Sequence, residues 1–107
     1  MKLLRIVKSS NSAKKFDAIF MVDGKEKKVS FGQNGARDYT EVSDKSSKWY
    51  LPKILDRNVV RDAYRRRHIK DLKTNDPTRP GYLSYYLLWN KKTLASSIKD
   101  YKKKFKV

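Results

Sequence analysis

Asp23-Gly24 lies between two β-prone runs, KKFDAIFMV and KEKKVSF, and leaves this part of the chain little choice but a hairpin. A two-residue Asp-Gly connection suits a tight turn whose central residues both take positive φ, and that turn matches the twist of the strands it joins. Register then follows from the turn. Pairing Val22 with Lys25 sets Phe20 opposite Lys27, Ala18 opposite Val29 and Phe16 opposite Phe31. One face therefore gathers most of the aromatic surface and is the expected floor of a core. The other face sets Ile19 beside Lys28 and Met21 beside Glu26, which suits a solvated or partner-facing side. Upstream, Leu3, Leu4, Ile6 and Val7 form a short strand-like run that stops at Ser9-Ser10-Asn11-Ser12. The first 32 residues thus read as an antiparallel β-meander.

Gly32-Gln33-Asn34-Gly35 reads as a tight turn whose glycines supply backbone angles that other residues resist. It lacks the spacing and the Lys-Ser/Thr ending of a phosphate-binding loop. Asp38 or the Ser/Lys-rich stretch from Ser43 to Lys48 supplies a cap, and helix is expected from near Lys48. Pro52 and Asn58 interrupt WYLPKILDRNVV, which predicts a short helix, a kink or loop near Asp56 to Asn58, and then a basic helix to about Leu72. Val60, Tyr64 and His68 share one face of that helix. Asn75-Asp76-Pro77-Thr78-Arg79-Pro80-Gly81 is a breaker, because proline has no amide donor and displaces its predecessor from helical angles. A nearly continuous apolar helix follows from Tyr82 to Trp89. A last amphipathic helix starts at the cap Thr93 and carries Leu94, Ile98, Tyr101 and Phe105 inward. The expected fold is α+β, with the meander of residues 1–32 packed against three or four helices within 48–107, in one small basic domain spanning 1–107.

Chemistry is constrained by what the chain lacks. There is no cysteine, one histidine and only two glutamates, Glu26 and Glu41. Thiol nucleophiles, thiolate metal sites and multi-histidine zinc sites are excluded, and a Ser-His-Asp triad would have to use His68. Asp23-Gly24-Lys25-Glu26-Lys27-Lys28 loosely resembles the acidic-and-lysine cluster of metal-dependent nucleases, but it crosses a hairpin tip, where a hydrated turn is the simpler account. No catalytic set, cofactor motif or metal site is expected, and the reading is non-enzymatic. The apolar start MKLLRIVKSS is broken by Arg5 and too short for a signal peptide, and no stretch is long enough to span a membrane.

Charge points to binding instead. Twenty-seven Lys and Arg against 11 Asp and Glu leave +16 on 107 residues, a balance that seeks an anionic surface. Acidic protein, nucleic acid and a membrane surface all qualify. Arg61, Arg65, Arg66 and Arg67 on one helix, Lys91 and Lys92 in the link, and Lys99, Lys102, Lys103 and Lys104 on the last helix are the expected anion- or partner-binding side chains. No zinc finger, basic zipper or RNA-recognition signature accompanies them.

The strings FGQNGARDYT from Phe31 to Thr40, RRRH from Arg65 to His68, and GYLS leading into LLWNK from Gly81 to Lys91 resemble a family of small basic proteins encoded by large double-stranded DNA viruses. That pattern runs F-G-x-x-G-x-x-D-Y/F-T, then R-H, then G-x-x-S-x-x-L-L-W-N, and the resemblance covers roughly residues 14–105. This chain departs from it in carrying extra sequence around Lys48 to Asn58 and in lacking a tryptophan after the R-H element. The resemblance implies a viral context with no assigned catalysis. It also implies structural roles for Gly32, Gly35, Asp38, His68, Gly81 and Trp89. The expectation is a minor capsid or core protein of the virion, present in host cytoplasm during assembly, held to acidic capsid proteins, membrane surface or packaged DNA. The alternative is a DNA-binding protein that condenses or organises the viral genome.

Overall fold

A computed structural model describes all 107 residues. Strands β1 (Lys2–Lys8), β2 (Lys14–Val22) and β3 (Lys25–Gln33) form an antiparallel meander in the order β1-β2-β3. Helices follow: α1 (Tyr39–Val42), α2 (Ile54–His68), α3 (Pro80–Leu83, widening into a π-helical turn over Ser84–Leu88) and α4 (Leu94–Phe105). The fold is α+β with its sheet at the N-terminus. No helix is long and apolar enough to cross a membrane.

The hairpin register is the expected one, from Val22 opposite Lys25 to Phe16 opposite Phe31. Asp23 and Gly24 both hold positive φ, 51° and 77°. On β1 a bulge between Leu3 and Arg5 shifts the register, so that Leu3 faces Phe20 and Ile6 faces Ala18. Residues three apart in a regular strand point to opposite sides, and the bulge puts both on the core face. Leu3, Ala18, Phe20 and Phe31 then pack with Val42, Leu83, Leu87, Leu88 and Tyr101 in one core.

The outer face of the sheet is less solvated than its sequence suggests. Ile19 and Asp17, on the central strand, are both buried. Flanking side chains cover this strand, including an Arg5–Glu26 ion pair at 3.5 Å. Glu26, part of the nuclease-like string, is thereby occupied in cross-strand pairing. The Asp17 carboxylate accepts hydrogen bonds from the hydroxyls of Ser30 and Ser9 (both 2.6 Å) and from the Ser10 amide (3.3 Å). Those donors favour the ionised form and hold its pKa down to about 2, with Lys28 adding a small attraction.

The helical half corrects several expectations. No helix starts near Lys48: residues 44–50 form successive turns, and the Leu51 amide donates to the Val42 carbonyl just before Pro52 stops helical geometry. Asp56 to Asn58 are neither kink nor loop but part of the opening turns of α2. There Arg57 folds back to donate to the Leu51 and Pro52 carbonyls and the Tyr50 hydroxyl. The α-helix ends at His68 and tightens into a 3-10 segment, Ile69–Thr74, closed by Asn75 in the left-handed region (φ 54°). The breaker is shorter than expected, since Pro80 and Gly81 already belong to α3. Proline at the first helical position forfeits only an amide that has no intrahelical partner. Thr93 caps α4 as expected, its hydroxyl accepting from the Ser96 amide.

Two glycines of the Phe31–Thr40 string separate conformation from space. Gly32 and Gly35 both have left-handed backbone, φ 79° and 84°, but a Cβ on Gly32 would lie 2.8 Å from Leu88 Cδ1, whereas one on Gly35 would meet nothing within 4 Å. Gly35→Ala is therefore expected to cost about 1 kcal/mol of backbone strain. Gly32→Ala should cost about 3 kcal/mol, because the buried Leu88 side chain or β3 must also shift to relieve the contact. Equal losses in urea denaturation would show that the sheet–helix approach is not tight. A second expectation concerns acid. Asp17 has a folded pKa below the ordinary aspartate value of about 3.9, so its contribution is complete above that pH and is lost as pH falls through about 2. Wild-type stability should thus fall more steeply between about pH 4 and 2 than that of Asp17→Asn; parallel curves would contradict the hydrogen-bonding account.

Candidate cationic interface

The basic side chains divide into those spent inside the fold and those left outside it. Arg65 belongs to the first group. Its guanidinium donates to the carbonyls of Tyr85 (3.2 Å) and Trp89 (2.8 Å) and lies 4.0 Å from the centre of the Tyr85 ring. Those carbonyls end α3, where a helix leaves its last C=O groups without partners. The arginine expected to meet an external anion here caps a helix. Arg57, unremarked in the sequence, is the most buried of the arginines and closes the entry to α2. Lys15 reaches Asp38 at 2.6 Å and Glu41 at 3.1 Å.

Asp38 fills the capping role, accepting from the Glu41 amide and the Thr40 hydroxyl, and its charge partner is Lys15. Trp89, Tyr64 and His68 form a ladder: the Tyr64 ring stacks on Trp89 at 4.2 Å and on His68 at 4.1 Å. His68 Nδ1 is 3.1 Å from an oxygen of Asp71. Burial raises the Tyr64 hydroxyl above its ordinary pKa, with Asp71 adding to the effect. Gly81 admits the 3-10 segment, since a Cβ there would stand 2.9 Å from that of Asp71. Each of the six motif residues thus has a packing, capping or backbone role.

The remaining cations face outward. Only Arg5, Lys15, Lys28, Arg61 and Arg79 approach a carboxylate within 4 Å, out of 27 Lys and Arg. Arg61 lies 5.0 Å above the Tyr39 ring and shares a hollow of about 370 Å³ with Lys91 and Lys92. Lys104 sits 5.6 Å from the Tyr86 ring, on which Arg65 also borders at 5.9 Å, so α2 and α4 meet across this half-buried tyrosine. Arg66 lines a second hollow, of about 240 Å³, with Asp62, Arg65, Ile69 and Tyr85. Arg67, Lys99 and Lys103 are exposed and Lys102 is half-buried, and none of them pairs with a carboxylate. The fold therefore gathers Arg61 with Lys91 and Lys92, and Arg65 with Lys104, but does not draw all ten expected residues into one groove.

A third hollow, of about 520 Å³, opens between the β1–β2 turn, the Asn34-Gly35 turn and Trp49, with Lys8, Lys14, Lys15 and Lys48 on its walls. A model described as a family of unknown function (DUF5754) matches residues 4–49, which include most of β1, all of β2, β3 and α1, and every residue lining this hollow. No curated protein and no solved structure matches the chain.

The division of arginines can be tested directly. Arg65→Ala should lose about 3 kcal/mol of stability, because it strands two helix-terminal carbonyls and removes a stacked cation. Arg65→Lys should recover only part of this, lacking the planar fork. Arg66→Ala and Arg67→Ala should each stay within about 0.5 kcal/mol of wild type. Comparable losses at all three positions in urea denaturation would deny Arg65 its capping role.

Proposed function

We propose that this chain is a non-enzymatic structural component of a large DNA virus particle, a minor capsid or core protein seated on acidic proteins by its cationic helical surface. The viral context comes from the resemblance of the Phe31–Thr40, Arg65–His68 and Gly81–Lys91 strings. One observation carries the binding role: the lysines of α4 and, at the end of α2, Arg66 and Arg67 lie outside the core without carboxylate partners. Such a surface repels itself and is stabilised by an anionic counterpart. Cations near the C-termini of α2 and α4 also complement the helix dipoles, but that effect calls for one or two charges rather than this many.

The same charges suit packaged DNA, and the dispersed arrangement favours the protein partner. A duplex-binding face lines its cations along a phosphate track, whereas here Asp62 and exposed aliphatic side chains interrupt the arginines of α2. Fluorescence anisotropy with a mixed-sequence duplex, from about 50 to 200 mM salt, separates the two. Weak binding that disappears near physiological salt is the expected result. Tight binding that survives about 150 mM salt and weakens in an Arg66→Ala, Arg67→Ala double variant would replace this proposal with a genome-organising role.

A further inference from the structure

Helix α2 is partly inside out. In its first turns Arg57 points into the protein and is 9% exposed, while Leu55 is 79% exposed and Val59 66%. On a 3.6-residue helix, positions 55, 59, 62 and 66 fall along one line, and here that line faces solvent. Ile69, 58% exposed, continues it into the 3-10 segment. Single exposed aliphatics are ordinary, but several aligned on one stripe mark a contact surface. Ile69 is also the ridge between two shallow hollows, one of about 240 Å³ lined by Asp62, Arg65 and Arg66, the other of about 570 Å³ lined by Lys70 and Lys73.

We infer that this outer stripe of α2 is the docking surface for an acidic amphipathic helix of a partner protein, whose apolar side chains cover Leu55, Val59 and Ile69 while its carboxylates meet Arg66, Lys70 and Lys73. The inference rests on the proposed function and gives its partner a shape. From Leu55 to Ile69 the stripe runs about 21 Å, the length of roughly four helical turns. Charge selects the occupant. A second copy would bring another +16 against cations already unpaired. A lipid bilayer would have to bury Asp62, which stands in the middle of the stripe. A duplex offers no apolar surface for Leu55 and Val59. An acidic helix with leucines on one side satisfies both parts of the stripe.

The test uses the whole chain at about 50 mM salt and a model peptide of about 18 residues with leucines on one helical face and glutamates elsewhere. Its controls are a scrambled peptide of the same composition, polyglutamate, a DNA duplex and phosphatidylserine vesicles. The amphipathic peptide should bind about tenfold more tightly than the scrambled one, the order expected for partly covering the exposed aliphatic side chains of the stripe. A Leu55→Ser, Val59→Ser variant should abolish that preference while binding polyglutamate and duplex as wild type does. Both positions are solvent-exposed, so an unchanged melting temperature is expected. Ile69→Ser gives an independent variant should the double one misfold. Equal binding of the two peptides, with polyglutamate still held, overturns this inference alone. Failure to bind any of the polyanions overturns the proposed function itself. Vesicle binding, or dimerisation in sedimentation, that is lost in the double variant would assign the stripe to a membrane or to a second copy instead.

Discussion

The C-terminal end of α3 finishes inside the protein, and the molecule depends on how its last carbonyls are satisfied. Tyr85, Leu87, Leu88 and Trp89 are all buried, so water cannot serve every acceptor there. Arg65 takes two of those carbonyls at once and covers the Tyr85 ring, while Tyr64, its neighbour, stacks on Trp89. Two consecutive residues of α2 thereby fix the end of α3 through a charged hydrogen bond and an aromatic face. Leu88, one residue before Trp89, reaches the sheet at the point where only glycine fits, Gly32. The short route from α2 through α3 to β3 thus links the helical half to the meander. The π-helical turn ends on the Ser84 carbonyl, which accepts from the Trp89 amide at 3.2 Å.

Tyrosine hydroxyls complete the connection. Tyr101 is buried among the core side chains and donates to the Pro77 carbonyl at 2.6 Å, and Tyr82 donates to the Leu72 carbonyl at the same distance. Burial raises the Tyr101 pKa well above the ordinary phenol range. Both tyrosines supply apolar area to the core and a single polar atom to an irregular backbone. Between α3 and α4 the link is side chain to side chain, the Asn90 amide donating to the Asp100 carboxylate at 2.7 Å. The aromatic stretch is therefore framework.

Arginine carries two unrelated tasks within one helix. Arg57 and Arg65 satisfy backbone carbonyls, and Arg66 and Arg67 face solvent. Nothing in the local string RRRH distinguishes them, because helical angle alone decides which side chain meets the end of α3. The exposure of Leu55 and Val59 was equally hidden. Their apolar character suggests burial, and Pro52 and Asn58 suggest a break that would have freed them from any helical face. Once α2 runs unbroken from Ile54, those residues lie on the side away from the core.

Local chemistry in the sequence determined the Asp23-Gly24 turn, the register of β2 against β3, the Thr93 cap and the α+β order, because each depends on neighbours a few residues away. The resemblance implied structural roles for Gly32, Gly35, Asp38, His68, Gly81 and Trp89, and each of them makes a packing, capping or backbone contribution in the fold. Tertiary packing decided the rest. The β1 bulge arises because Leu3 and Ile6 must share a core face, and the start of α2 moves to Ile54 because the Leu51 amide is claimed by Val42. Which arginines face solvent was fixed only when the orphaned carbonyls of α3 came within reach of Arg65. Those contacts join residues 20 and 24 positions apart, and no local pattern in the chain encodes that distance.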